Sequence, residues 1–428
     1  MMRISYKPSL FLALFTLLFT LMFFSVPGYS ANIDESWYGI NYFPQNHQFY
    51  NMFYDWYTLD RQTGKLVYQI VENDLAMLSL CGFDFLHLYI WEEAWFQRGF
   101  KSLGSDPRDS DNDQWNALNE FVVLADKYGF KVGVHFANKT VIDKLQSGIT
   151  KEEAVKLGED YYDWASIFIK ELSRHENIVL WGFIYGFSPA PLAGGEENGW
   201  NAFFKSGYSK FDRLISSLRP KNPALLGINL AIKVIPFKFG IRTRYIWNTF
   251  ELQRQAKVLT DMGLREPDVF MLQLYNHNDV DLKYALKDLT SGPLVREGIS
   301  LDPKKIFVVE FGASSSLANP PYGNNIFGVG DSFSPSYDLN GHRSWLLRTL
   351  RAFNSFGINK MAYWTLYDAP DFWSGPPFNK TKDDPDFAWQ SHLGLMPYGK
   401  NLKPKPAFWD ISRFYKLKKA DDARRRIR

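Results

Sequence analysis

Between Trp37 and Tyr415 short apolar runs alternate with longer segments of helical period, and this alternation limits the possible folds more than any other feature of the chain. The runs are residues 37–43, 83–91, 130–137, 178–185, 224–232, 269–275, 306–310 and 360–366. Helical periodicity covers 66–80, 114–127, 150–174, 200–218, 339–356 and 406–415, with Thr150 placed as an N-cap and Gly82, Gly129 and Gly357 as terminators. Strands that are apolar on both faces and joined through helices belong to a parallel sheet covered on both sides. Eight such units close most economically into a single-domain α/β fold, the (β/α)8 TIM barrel. A doubly wound open sheet is the alternative. However, no Gly-x-Gly-x-x-Gly turn follows the first run and no Walker-type loop occurs, so nothing in the chain implies a cofactor. Residues 233–247 fit neither pattern.

The seventh run carries the clearest chemical signal. Ile306-Phe307-Val308-Val309 is unbroken and apolar, then stops at Glu310, with Gly312 two residues on. The C-terminal ends of barrel strands are where chemistry is placed. An ionised Glu within a strand costs several kcal/mol, roughly, unless it is paired. The other strand ends supply Asn41 and Tyr42; His87, Tyr89, Trp91 and Glu92; His135 and Asn138; Tyr185; Asn229; Gln273, Tyr275 and His277; Trp364 and Asp368. Rings to stack on and side chains to hydrogen-bond hydroxyls suit a polyol such as a sugar. Aromatic residues make up 17% of the chain, more than an ordinary core needs, which points to the same kind of cleft. The near balance of 49 basic against 46 acidic residues gives no nucleic-acid footprint. His87, His135 and His277 come from three strands and offer an alternative, a metal-dependent hydrolase. No second ligand stands at short spacing from any of them, so no metal is expected.

Leu180-Trp181, Val308-Val309-Glu310-Phe311-Gly312, Tyr363-Trp364, and Gly394-Leu395 followed by Lys405-Pro406-Ala407-Phe408 together resemble the retaining (β/α)8-barrel glycoside hydrolases, the clan of endoglucanases, mannanases and β-glycosidases. The resemblance runs from Trp37 to Tyr415 and implies a β-linked oligo- or polysaccharide as substrate. It makes Glu310 the nucleophile and Trp364 the floor of the sugar site. Tyr275 or His277 becomes the group beside the nucleophile, and His87 stands where many members carry Arg. His135, Trp91 and Tyr185 complete the expected sugar contacts. The chain departs from the clan at the fourth strand, where Tyr185-Gly186 replaces the Asn-Glu pair that holds the acid/base. Retaining hydrolysis needs a proton donor opposite the nucleophile. Glu196, Glu197 and Glu92 are the candidates for that role. A carbohydrate-binding barrel without turnover is the alternative function.

Residues 1–30 read as a signal peptide, with Arg3 and Lys7 ahead of an apolar Leu10–Val26 stretch and small residues before Ala31. An uncleaved anchor is the alternative, since about 17 apolar residues is the short limit for a span. The expected location is therefore secreted, periplasmic or cell-envelope, with no other membrane segment. A single cysteine, Cys81, excludes a disulfide framework. Asn138-Lys139-Thr140 and Asn379-Lys380-Thr381 match the glycosylation sequon. The barrel is expected over 31–415, with 416–428 as a solvated basic tail.

Overall fold

Eight parallel strands close a barrel: β1 (Trp37–Asn41), β2 (Phe85–Trp91), β3 (Lys131–Ala137), β4 (Ile178–Phe183), β5 (Leu225–Leu230), β8 (Val269–Gln273), β9 (Ile306–Phe311) and β10 (Lys360–Tyr363), which pairs back onto β1. The computed structural model describes residues 33–47, 51–95, 106–109, 113–184, 199–230, 234–239, 242–247, 253, 257, 259–275, 279–292, 301–315, 338–369, 391–399 and 403–427. The expected (β/α)8 architecture is present. Residues 233–247, which fitted no pattern, contain an antiparallel hairpin of β6 (Val234–Phe239) and β7 (Arg242–Trp247) outside the barrel. Gly240-Ile241 stands between the two strands, and a Gly-first pair between two strand-like runs was the available sequence signal.

The helices are α1 (Val67–Leu80), α2 (Gln114–Lys127), α3 (Lys139–Ser147), α4 (Lys151–Leu172), α5 (Gly199–Leu218), α6 (Asp279–Ser291), α7 (Leu339–Ser355) and α8 (Pro406–Ile427). Periodicity alone did not reveal α3 or α6. At α3 the missed signal was Asn138, an N-cap whose side-chain oxygen accepts from Val141 N at 2.8 Å. That bond and its burial also remove the Asn138 sequon from the accessible surface. The tail is likewise not a frayed end: α8 runs on to Ile427, with no Gly or Pro to stop it beyond Pro406. Its last turns dock on the strand starts, where Tyr38 OH donates to Asp422 at 2.8 Å and Lys419 pairs with Asp84 at 3.4 Å.

Alternation along the strands sorts side chains into an outer layer against the helices and an interior. Much of the aromatic excess lies in the outer layer. Trp56, Trp164, Trp181, Trp200 and Trp345 are all essentially fully buried there, so among the described residues many of the large rings serve packing. The interior has three strata. The lowest is apolar, with Trp37, Phe85, Leu180, Met271, Phe307 and Val309. Next comes a polar level of Asn41, His87, His135 and Asn229, each 0–1% exposed. Glycines make room for the large members: a Cβ on Gly182 would stand 2.6 Å from the His135 ring, and one on Gly133 would stand 2.6 Å from Phe85. Above them sit Phe43, Tyr89, Trp91 and Trp364, with Tyr275 against them.

Asp74 on the inner face of α1 ties the barrel's closing seam. It accepts from Tyr42 OH at 3.0 Å and Tyr367 OH at 2.6 Å, just beyond β1 and β10. Burial raises its pKa from 3.8 to about 7, against the opposing pull of the two tyrosine bonds. The folded state therefore keeps a proton that the unfolded chain releases. The associated stability is complete below about pH 4 and is lost as pH rises through about 7. Three units correspond to on the order of 4 kcal/mol. Asp74→Asn is expected to match the wild type in urea midpoint near pH 4 and to exceed it by pH 8. An offset that does not change with pH contradicts this assignment.

Candidate active site

β9 does not deliver Glu310 to the mouth by simple alternation. Phe307 and Val309 point inward, so regular pleating would turn Glu310 out towards the helices and Phe311 in. Both neighbouring strands show instead that β9 carries one extra residue. Leu272 and Gln273 of β8 face Val308 and Glu310, while Met361 and Tyr363 of β10 face Val308 and Phe311. This bulge re-aims the side chains beyond it. Phe311 packs outward against Phe353 of α7, and Glu310 turns into the barrel at 3% exposure. The Val309 carbonyl at the bulge accepts the Asn41 amide at 2.8 Å.

Two phenols hold the carboxylate. Tyr89 OH, from β2, donates to Glu310 Oε1 at 2.5 Å, and Tyr275 OH, just past β8, donates to Oε2 at 2.9 Å. Both hydroxyls donate, and the carboxyl has an acceptor oxygen for each. Trp364, at the end of β10, lies beside this pair with its ring 5.9 Å from that of Tyr89, and Phe43 stands edge-on to it at 6.2 Å. The result is a carboxyl group held by two phenols in an aromatic mouth.

Beneath it, Asn41 and His87 form a support. Because the Asn41 amide nitrogen donates to Val309 O, its oxygen is the partner of His87 Nδ1 at 2.7 Å, which places the imidazole proton on Nδ1. The His87 ring then meets the Tyr89 ring edge-on at 4.5 Å. Burial, and secondarily the neighbouring His135, holds the His87 pKa well below its usual value. Burial likewise takes His135 down to about 3. Both rings are neutral and 0% exposed, a level below Tyr89 and Trp364 in the barrel. The rings are 5.4 Å apart. Among the described residues no group of three His, Cys, Asp or Glu could hold a metal ion.

The other expected residues divide as follows. Trp91 and Trp364 are at the mouth, 4% and 6% exposed. Glu92 follows β2 at the same end, is 5% exposed, and takes the Asn138 amide at 2.6 Å. His277, Tyr185, Gly186, Glu196 and Glu197 lie outside the described residues. The Gly394–Leu395 and Lys405 elements prove to be a clamp. Lys405 Nζ reaches Asp368 Oδ1 at 2.6 Å and Gly394 O at 2.7 Å, which holds the segment carrying Leu393 against the Trp364 layer. Tyr89 and Asn41 were visible as strand-end residues, but their roles were not. Tyr89 shares the inward parity of His87 and Trp91, which was the available signal.

No protein-family model matches the chain, and no curated protein matches it. Solved structures do. The exo-β-1,4-mannosidase Op5Man5 from Opitutaceae bacterium strain TAV5 aligns over 89% of this chain at 14% identity and a TM-score of 0.51, and the chain spans only 59% of that structure. This chain shares its barrel fold with that mannosidase. Xylanase 10B from Thermotoga maritima aligns over 91% of this chain and 98% of its own at 12% identity and a TM-score of 0.49. A family 39 glycoside hydrolase from Bacteroides cellulosilyticus WH2 aligns over 90% and 65% at 13% and 0.48. At these identities the likeness is one of fold.

Proposed function

We propose that this barrel is an exported β-glycoside hydrolase with Glu310 as its nucleophile. The observation that carries the reading is the bulge in β9, which turns Glu310 into an aromatic mouth and presents it to two tyrosine hydroxyls. A Glu310 oxygen bonds to the anomeric carbon as the glycosidic C–O bond breaks, and the departing oxygen takes a proton. Water then attacks the same carbon, gives up a proton and frees the carboxylate, so one water is consumed and configuration is retained. Trp364 supplies the ring on which the sugar lies. The named activity of the exo-β-1,4-mannosidase that shares the fold makes β-1,4-linked mannosides the first substrates to try.

The second reading, a sugar-binding barrel without turnover, is favoured by Tyr185-Gly186 at the place of the acid/base. General acid–base help is worth about 10²–10⁴-fold. An enzyme that lacks it should turn over 2,4-dinitrophenyl β-glycosides, whose leaving group needs no proton. It should leave alkyl glycosides nearly untouched, and azide should accelerate it with formation of a β-glycosyl azide. Full activity on alkyl glycosides with no azide response points instead to a donor from Glu92, Glu196 or Glu197. Sugar binding with no turnover of the activated substrate excludes hydrolysis.

A further inference from the structure

Helix α8 is bound to the barrel along one face and open along the other. Phe408, Ile411 and Tyr415 are fully buried, and Tyr415 OH donates to Gly39 O at 3.2 Å. Asp422 meets Tyr38 from the same face. The opposite stripe follows at three- and four-residue steps: Trp409, Arg413, Lys416, Leu417, Ala420 and Arg424, each of them exposed. At ~1.5 Å of rise per residue this stripe is about 22 Å long.

Arg413, Lys416 and Arg424 give the stripe three cations, while the acids of α8 point elsewhere or stand at its margin. Asp422 is turned inward to Tyr38, and Asp410 accepts from Arg343 of α7 at 2.5 Å and 3.2 Å. In that second pair the Asp410 side chain is 10% exposed and the Arg343 side chain 50%, so the pair shows its cation to solvent. Asp421, at the margin of the stripe, reaches Arg424 at 3.4 Å, an exposed pair that solvent largely screens. The whole chain has a net charge of only +3, so the positive field is a local concentration on this helix.

The apolar members of the stripe select the kind of anion. Trp409 is 57% exposed and Leu417 61%, about two turns apart on the same line as the cations. One exposed apolar side chain on a surface needs no account. Two of them alternating with cations along one helix face form the pattern of a helix that lies in a membrane interface. A soluble polyanion would meet the cations and leave the indole and the leucine in water. A bilayer surface takes both: the indole and the leucine settle at headgroup level, and the arginine and lysine stems reach to the phosphates. We propose that the outer stripe of α8 docks the barrel on an anionic lipid surface. This docking does not depend on turnover at Glu310.

Co-sedimentation of the full chain with vesicles tests this, using phosphatidylcholine alone and phosphatidylcholine containing about one third phosphatidylglycerol. Neutral vesicles report whatever the apolar Leu10–Val26 stretch contributes, so the readout is the ratio of anionic to neutral partition. The Arg413→Gln, Lys416→Gln, Arg424→Gln triple variant should lower that ratio on the order of 100-fold, about fivefold per cation. A control triple across the barrel, Lys144→Gln, Lys151→Gln, Lys170→Gln, makes the same change in net charge at exposed positions and should shift it less than about threefold. Trp409→Ala with Leu417→Ala should weaken binding to the anionic vesicles about tenfold and leave binding to dextran sulfate, a soluble polyanion, unchanged. Each variant is checked for an unchanged thermal midpoint, and raising the salt on the wild type, which alters no residue, should lower the ratio as the first triple does. A wild-type ratio near one, an equal loss in the two triples, or no effect of the Trp409 and Leu417 substitutions on vesicle binding overturns the proposal.

Discussion

Replacing Glu310 with glutamine is expected to lower turnover of 2,4-dinitrophenyl β-glycosides by on the order of 10⁴–10⁶, the scale seen when a nucleophile is removed from a set of groups that act together. The substitution keeps the side chain's length and its place above β9, so binding should persist. What it removes is the negative charge needed to form the glycosyl-enzyme bond. The amide also accepts well at one end only, so one of Tyr89 and Tyr275 loses its acceptor. Glu310→Ala should be equally inactive, but it opens space for a small anion, and azide added to it should give the glycosyl azide of inverted configuration. Initial rates and the anomer of the azide product check this. Activity within tenfold of the wild type in both variants rules out Glu310 as nucleophile.

Asn41→Ala is expected to cost more than its distance from the mouth suggests. Its amide satisfies the Val309 carbonyl at the bulge and the His87 Nδ1–H together. Both would be left buried without that partner, at about 1–3 kcal/mol each. Without that tether β9 has less reason to keep its extra residue, and regular pleating turns Glu310 away from the mouth. A displacement of about 1 Å can cost on the order of 10²-fold in rate. We therefore expect a lowered urea midpoint and a fall of about 10²-fold in kcat at temperatures where the variant remains folded, with KM little changed. A variant that is destabilised yet keeps full kcat would show that the tether supports the fold without aiming the carboxylate.

The strands were legible because most are buried on both faces, and an unbroken apolar run such as Ile306–Val309 leaves few other interpretations. Glu310 was legible as a strand-end carboxylate. The means by which it reaches the mouth was not, because a bulge is defined by the register of two neighbours and leaves no mark in the run itself. The same holds for Tyr89, whose partner lies 221 positions away. The depth of His87 and His135 was likewise not legible, because strand-end position carries no information on how far below the mouth a side chain sits. Asp74 gave no sign at all within α1, since its importance comes from two tyrosines that follow β1 and β10.

The tail that became part of α8 has a geometric consequence. Tyr38 meets Asp422, and Lys360 Nζ bonds the Ile33 carbonyl, so the first and last described turns of the chain leave from the closed end of the barrel. Both ends of the described chain therefore lie opposite the Glu310 mouth, and a support coupled to either of them would leave that mouth facing the surrounding medium.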